Sequence, residues 1–224
     1  RTRRGDGGGG GVIAARALLT VVLAFGLAMP AMAQAKSPKQ EMEAGRQLVA
    51  GFGKCMADAK PEMAKAVVLA DKVDFGDPAW KGALDSRCMG LYSGRLHMHL
   101  FYYQASLAER LSTSSLPATA LVGVADIAPL NASLPSDAPN AVRYTMALRL
   151  GECVARANPA GARAVFATRI DSSDEIEALQ ALGGEIAGCV PEGREVAIDR
   201  TSLRAGLAIT YYRLAARLAD KGEA

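Results

Sequence analysis

The sequence predicts an all-α fold built as two tandem four-helix units, each with its own disulfide, after an N-terminal signal peptide. Three observations carry that expectation. Alanine and leucine dominate and aromatics are only 5% of the 224 residues, a balance that suits close helix packing better than sheets. The phrase GKCMADAKPEMAKAV, Gly53 to Val67, returns as GECVARANPAGARAV, Gly151 to Val165, with eight of fifteen positions identical. A leucine pattern, L-x3-L-x6-L-x3-L, also occurs twice, at Leu96, Leu100, Leu107 and Leu111 and at Leu203, Leu207, Leu214 and Leu218. That spacing marks one face of an α-helix.

In chain order, residues 1–33 read as the signal peptide. A basic flank precedes an apolar run from Leu18 to Met29, then Pro30 and an Ala31-Met32-Ala33 site, with cleavage expected after Ala33. The run is short for a membrane span, which takes about 20 apolar residues. No stable membrane insertion is expected after cleavage, and the localisation is periplasmic or secreted.

Residues 34–112 form the first expected unit. Its helix A begins at Ser37-Pro38-Lys39-Gln40, an N-cap with proline in the first turn and a capping-box glutamine. The apolar stripe of this helix is Leu48, Phe52 and Cys55. Helix B opens at Pro61, helix C is capped by Asp77 before Pro78, and helix D carries the leucines. Residues 113–139, rich in Pro, Ser and Asn, form a linker whose apolar stretch Ala120 to Ile127 should pack.

Residues 140–224 form the second unit. The helix A stripe is read as Val142, Met146, Leu150 and Cys153, which places the first cysteine of both units on a buried face. Helix B opens at Pro159. Helix C starts at a Ser172/Glu175 cap and runs along Ile176, Leu179, Leu182 and Ile186 towards Cys189. Between the second cysteine and the leucine helix, the second unit is six residues longer, around Gly193 to Arg200. Val196 and Ile198 alternate there with polar neighbours, and a longer loop is the plainer reading.

Four cysteines in an exported chain imply disulfides: Cys55, Cys88, Cys153 and Cys189. One pair per unit, Cys55–Cys88 and Cys153–Cys189, is the simplest pairing. Each bridge would close a loop of about 35 residues and contribute roughly 3–4 kcal/mol.

Charge removes one class of partner. Arg1, Arg3, Arg4 and Arg16 against Asp6 give the signal segment the whole of the chain's net charge of +3. The remainder is formally neutral, so no nucleic-acid partner is expected. Arg143, Arg149, Arg156, Arg163 and Arg169 read as a solvated face.

No catalytic, cofactor-binding or metal site is assigned. His97 and His99 fall on opposite sides of a helix and do not form an i, i+4 metal pair. With Cys88, Met89 and Met98 nearby, they leave a soft-metal role as a minor alternative. The cysteines lack a C-x2-C knuckle, GLYSG is not a nucleophile elbow, and GFGKC is not a phosphate loop. Asp171, Asp174, Glu175 and Glu177 read as acidic residues favoured at a helix start. Tyr102, Tyr103, Tyr211 and Tyr212 read as core residues with bonded hydroxyls. Asn131-Ala132-Ser133 is a glycosylation sequon only in a eukaryotic host.

These residues resemble a group of uncharacterised exported alphaproteobacterial tandem-repeat proteins with one cysteine pair per repeat. The resemblance lies in Cys153, Arg156, Pro159, Ala162, Arg163 and Ala164, then Leu203, Arg204, Tyr212 and Arg213. Ala205 stands where that group carries glycine, and Asp58 replaces the arginine in the first unit. The resemblance implies export and repetition and brings no activity or site. The expected role is a non-enzymatic one: binding, interaction or envelope support, with a protein or small-molecule partner in the cell envelope. A hydrolase-like enzyme with an unfamiliar site is the alternative.

Overall fold

The computed structural model describes residues 37–90, 98–131, 141–193 and 196–222, and every regular element among them is helical. The signal segment, Leu96 and His97 lie outside the described residues. The helices are α1 (Pro38–Ala59), α2 (Pro61–Leu69), α3 (Ser86–Met89), α4 (Leu100–Ser114), α5 (Ala141–Ala157), α6 (Pro159–Ala167), α7 (Ser173–Ala181), α8 (Gly183–Gly188) and α9 (Arg200–Gly222).

Local chemistry sets most boundaries. Ser37 and Gln40 form the expected capping box, with Ser37 Oγ accepting from the Gln40 amide and Gln40 Oε1 from the Ser37 amide. Pro61 and Pro159 open α2 and α6, where a missing N–H costs nothing. Asn158 caps α6 by accepting from the Gly161 amide at 2.8 Å.

The third helix of the first half is smaller than expected. Asp77 caps only a 3-10 turn, Pro78–Trp80, and Asp85 caps the four-residue α3. Gly82, at φ +94°, reverses the chain between them and stops any longer helix. In the second half the third helix breaks at Leu182, before Gly183-Gly184, into α7 and α8.

Packing centres on α9, which lies against α5 and α4, while α4 also packs on α1. One apolar cluster runs through all of these helices, from Phe52 and Met56 through Leu107 and Leu111 to Val154, Leu207 and Leu214. The crossings are close because they are made at small residues. A Cβ on Gly206 would stand 2.1 Å from the Ala147 carbonyl oxygen, and one on Gly151 would stand 2.4 Å from Gly206 C. A Cβ on Gly53 would fall 1.9 Å from Ser106 Oγ.

These crossings correct the expected face of α5 at its two ends, Val142 and Cys153. Its buried residues are Tyr144, Ala147, Leu148, Leu150, Gly151, Glu152, Val154 and Ala155; of the expected stripe Leu150 is buried and Met146 half-buried. Val142 is 85% exposed, and Cys153 is exposed too. Ala147 and Gly151, small enough to let backbones meet, share the inward face with Tyr144, Leu148, Leu150 and Val154.

Cys55 is bonded to Cys88 and Cys153 to Cys189, the pairs expected from the sequence. The segment after α4 packs through Leu121, Val124 and Ile127. Two arginines expected to face solvent hold this segment instead. Arg156 donates to the carbonyls of Val124, Ile127 and Ala128, and Arg163 to those of Ser112 and Leu116. Their cations meet carbonyls at the ends of elements, of which that of Val124 also accepts from the Ile127 amide.

Candidate functional site

Between α1, the first turns of α4 and the first turns of α9 lies a cavity of about 800 Å³. Its walls are apolar: Met42, Leu48 and Val49 from α1, Met98 and Ala105 around α4, and Ile170 from the α6–α7 turn. Cavities of roughly 300–1,000 Å³ with apolar walls and a few polar groups are the usual form of small-molecule sites.

Its floor is a buried chain of charges. Arg204 of α9, with its side chain 4% exposed, donates to Glu109 Oε1 (2.7 Å), Glu109 Oε2 (2.8 Å), Glu175 Oε1 (2.9 Å), Thr168 Oγ1 (3.1 Å) and the Thr168 carbonyl (3.0 Å). A guanidinium has five N–H groups, so Arg204 is saturated. Glu175 Oε2 pairs with Arg200 Nε at 3.1 Å and accepts from the Asp171 amide at 2.9 Å. Asp171 in turn takes Arg46 Nη2 and Arg200 Nη2, each at 2.8 Å. Three carboxylates and three guanidiniums thus alternate across five segments of chain.

Burial alone would push Arg204 down, but Glu109 and Glu175 outweigh it and raise the group above its usual value. Hydrogen bonding to Asp171 raises Arg46. Asp171 sits at φ +63°, a left-handed conformation that aspartate tolerates better than most residues. Its amide and carboxylate bonds within the chain of charges hold it there.

The sequence showed this acidic cluster, but only as acidic residues favoured at a helix start. Asp171 and Glu175 have side chains only 3% and 2% exposed, and their partners come from α1 and α9. Such long-range pairing leaves no local spacing signal.

The mouth is polar. Arg143 of α5 pairs with Asp199, whose carboxylate also accepts from the amide and hydroxyl of Ser202 at the start of α9. Burial tends to raise Asp199, but the bonds from Ser202 and Arg143 outweigh it and lower the group. His99 caps α4, with Nδ1 accepting from the Phe101 amide at 3.1 Å, and its ring lies 4.7 Å from that of Tyr144. Tyr102 is hydrogen-bonded to Ser202 Oγ at 3.1 Å. Tyr144 is pushed up to about 12, first by burial and then by its bond with Tyr102.

Chemically, the polar groups of this arrangement are committed to one another. Its carboxylates are engaged by guanidiniums or by a helix cap, and the Ser202 hydroxyl is fully buried and donates to Asp199. Of the residues weighed for a soft-metal site, His99 caps a helix, Cys88 is in a disulfide, and His97 lies outside the described residues. Among the described residues, no group of three His, Cys, Asp or Glu is placed to hold a metal ion. No helix among them is long and apolar enough to cross a membrane.

The fold and site define a disulfide-bridged, all-α protein with an apolar cavity over a neutralised ionic floor. Compared with family models, curated proteins and solved structures, the chain matches none.

Proposed function

We propose that this is an exported, non-enzymatic binding protein that takes a small, mostly apolar molecule into the cavity between α1, α4 and α9. The observation that carries the reading is the combination of a roomy apolar chamber with a floor whose central cation has no donor left to offer. A ligand there gains chiefly from burying apolar surface, at about 25 cal/mol per Å². Its polar end, if it has one, faces the Arg143–Asp199 mouth.

The proposal includes cleavage of residues 1–33 after Ala33 and residence in a bacterial periplasm or beyond, alongside the exported alphaproteobacterial group that the sequence resembles. Two disulfides suit that oxidising setting.

It also includes two tandem helical units, in a register different from the leucine pattern. Gly53 meets Ser106 and Gly151 meets Gly206. Gln104 donates to the carbonyls of Val67 and Ala70 at the end of α2, and Arg204 to that of Thr168 at the end of α6. These pairs support an offset of 100 between the last helices of the units, where the leucines suggested 107. The difference of seven residues is two helical turns and preserves the apolar face. In this register Ser106 follows Cys88 by 18 positions and Gly206 follows Cys189 by 17, so the residues from Gly193 to Arg200 are no insertion.

The test is titration of the exported protein with anilinonaphthalene sulfonate, read by fluorescence, beside a Val49→Trp variant that fills the chamber. Saturable binding by the native protein, lost in a variant with native helicity, supports the reading. Absence of binding, or equal binding by the variant, overturns it. N-terminal sequencing that starts at Gln34 supports the processing step.

A further inference from the structure

The two disulfides occupy unequal surroundings. Cys88 is fully buried and Cys55 is half-buried under α3. Cys153 is exposed, and it lines a second hollow of about 600 Å³ against the segment after α4. Arg149, Glu152 and Arg156 line the same hollow with Pro129 and Asn131.

The charges there are not evenly committed. Arg156 is held by Glu152 at 2.8 Å and by three carbonyls, and Glu152 also accepts from the Leu130 amide at 2.9 Å. Arg149, four residues before Cys153 and so on the same side of α5, is exposed and joins none of the ion pairs among the described residues. An accessible sulfur in a hollow with one uncommitted cation matches a small thiol that carries a negative charge.

We propose that Cys153–Cys189 is a thiol-exchange site for small anionic thiols, exemplified by a mercapto-carboxylate, while Cys55–Cys88 is shielded from the same chemistry. The incoming thiolate attacks Sγ of Cys153, and its carboxylate is held by Arg149. A new S–S bond forms at Cys153 as the old one breaks, and the electron pair leaves on Cys189, which takes a proton from water. A second thiolate attacking the adduct releases Cys153 as a thiolate. Across both steps the disulfide gains two electrons, and two thiols become one small disulfide. Attack depends on access to the sulfur as well as on thiolate supply. The burial of Cys88 and the exposure of Cys153 therefore separate the two bridges kinetically.

The test uses the oxidised full chain with mercaptoacetate or 2-mercaptoethanol at pH 8 and low salt. Rates are normalised to each thiol's rate on a small reference disulfide, and adducts are mapped by mass spectrometry after acid quenching. The expected result is adduct formation at Cys153 about tenfold faster than at Cys55 or Cys88. The normalised rate with mercaptoacetate is expected to exceed that with mercaptoethanol by about fivefold, and Arg149→Ala to remove that preference by slowing mercaptoacetate several-fold more than mercaptoethanol, whose attacking thiolate carries one negative charge instead of two. Arg149 is a surface residue, so the variant keeps its fold. Equal opening of both bridges, adducts mainly on Cys189, or an anionic preference that survives Arg149→Ala would each overturn the proposal.

Discussion

Gly151 and Gly206 meet backbone to backbone where α5 crosses α9, with no room for a methyl group on either. Gly206→Ala is therefore expected to force the helices apart and cost about 1–3 kcal/mol or more. Gly184→Ala in α8 meets nothing within 4 Å and should be neutral or stabilising by roughly 0.5–1 kcal/mol. Urea unfolding of the two variants checks the contrast, and equal destabilisation would refute the close-crossing account.

Removing Arg204 leaves Glu109 and Glu175 buried without their shared cation. Arg204→Leu is expected to destabilise by about 3–5 kcal/mol. Arg204→Lys should rescue little, because an ammonium has three donors for five acceptors. Thermal and urea unfolding of both variants measure the difference.

Stability should decline in acid through Asp85. Hydrogen bonds from the Arg87 side chain and amide, aided by Lys60, hold its carboxyl well below the usual 3.8. Its folded value is below its unfolded value, so its contribution is complete above about pH 4 and lost as pH falls towards the folded value. Asp199 acts in the same direction. Asp85→Asn is expected to lower stability at neutral pH and flatten the acid limb of a urea-unfolding series from pH 2 to 7. Parallel curves for variant and native protein would refute this.

The disulfides close loops of similar length, with separations of 33 and 36 residues. Replacing either pair with serines should cost a similar amount, about 4 kcal/mol. The expectation is equal loss of equilibrium stability despite unequal rates of reduction, checked by unfolding both double variants.

What the sequence made legible was local. Proline at Pro61 and Pro159, the Ser37/Gln40 box and the cysteine pairing all follow from short-range rules, and the structure carries each of them. The face of α5 was legible only in part: Leu150 is buried as read, but Gly151 and Ala147 bury themselves by smallness, while Val142 and Cys153 are exposed. The leucine register was ambiguous because a seven-residue shift returns a helix to nearly the same face. Asp171, Glu175 and Arg204 were visible as residue types, but their partners Arg46 and Glu109 stand far away in sequence.

Because Arg46 answers to Asp171 and Glu109 answers to Arg204, neither half of the chain is a spare part. Each half carries charges of both signs, yet the bonds that engage Arg46, Glu109, Asp171 and Arg204 cross to the other. A cut in the segment between α4 and α5 would strand both pairs at once. Drift in either half is thereby policed by the other, and a substitution at any of these four positions calls for a matching change across the divide.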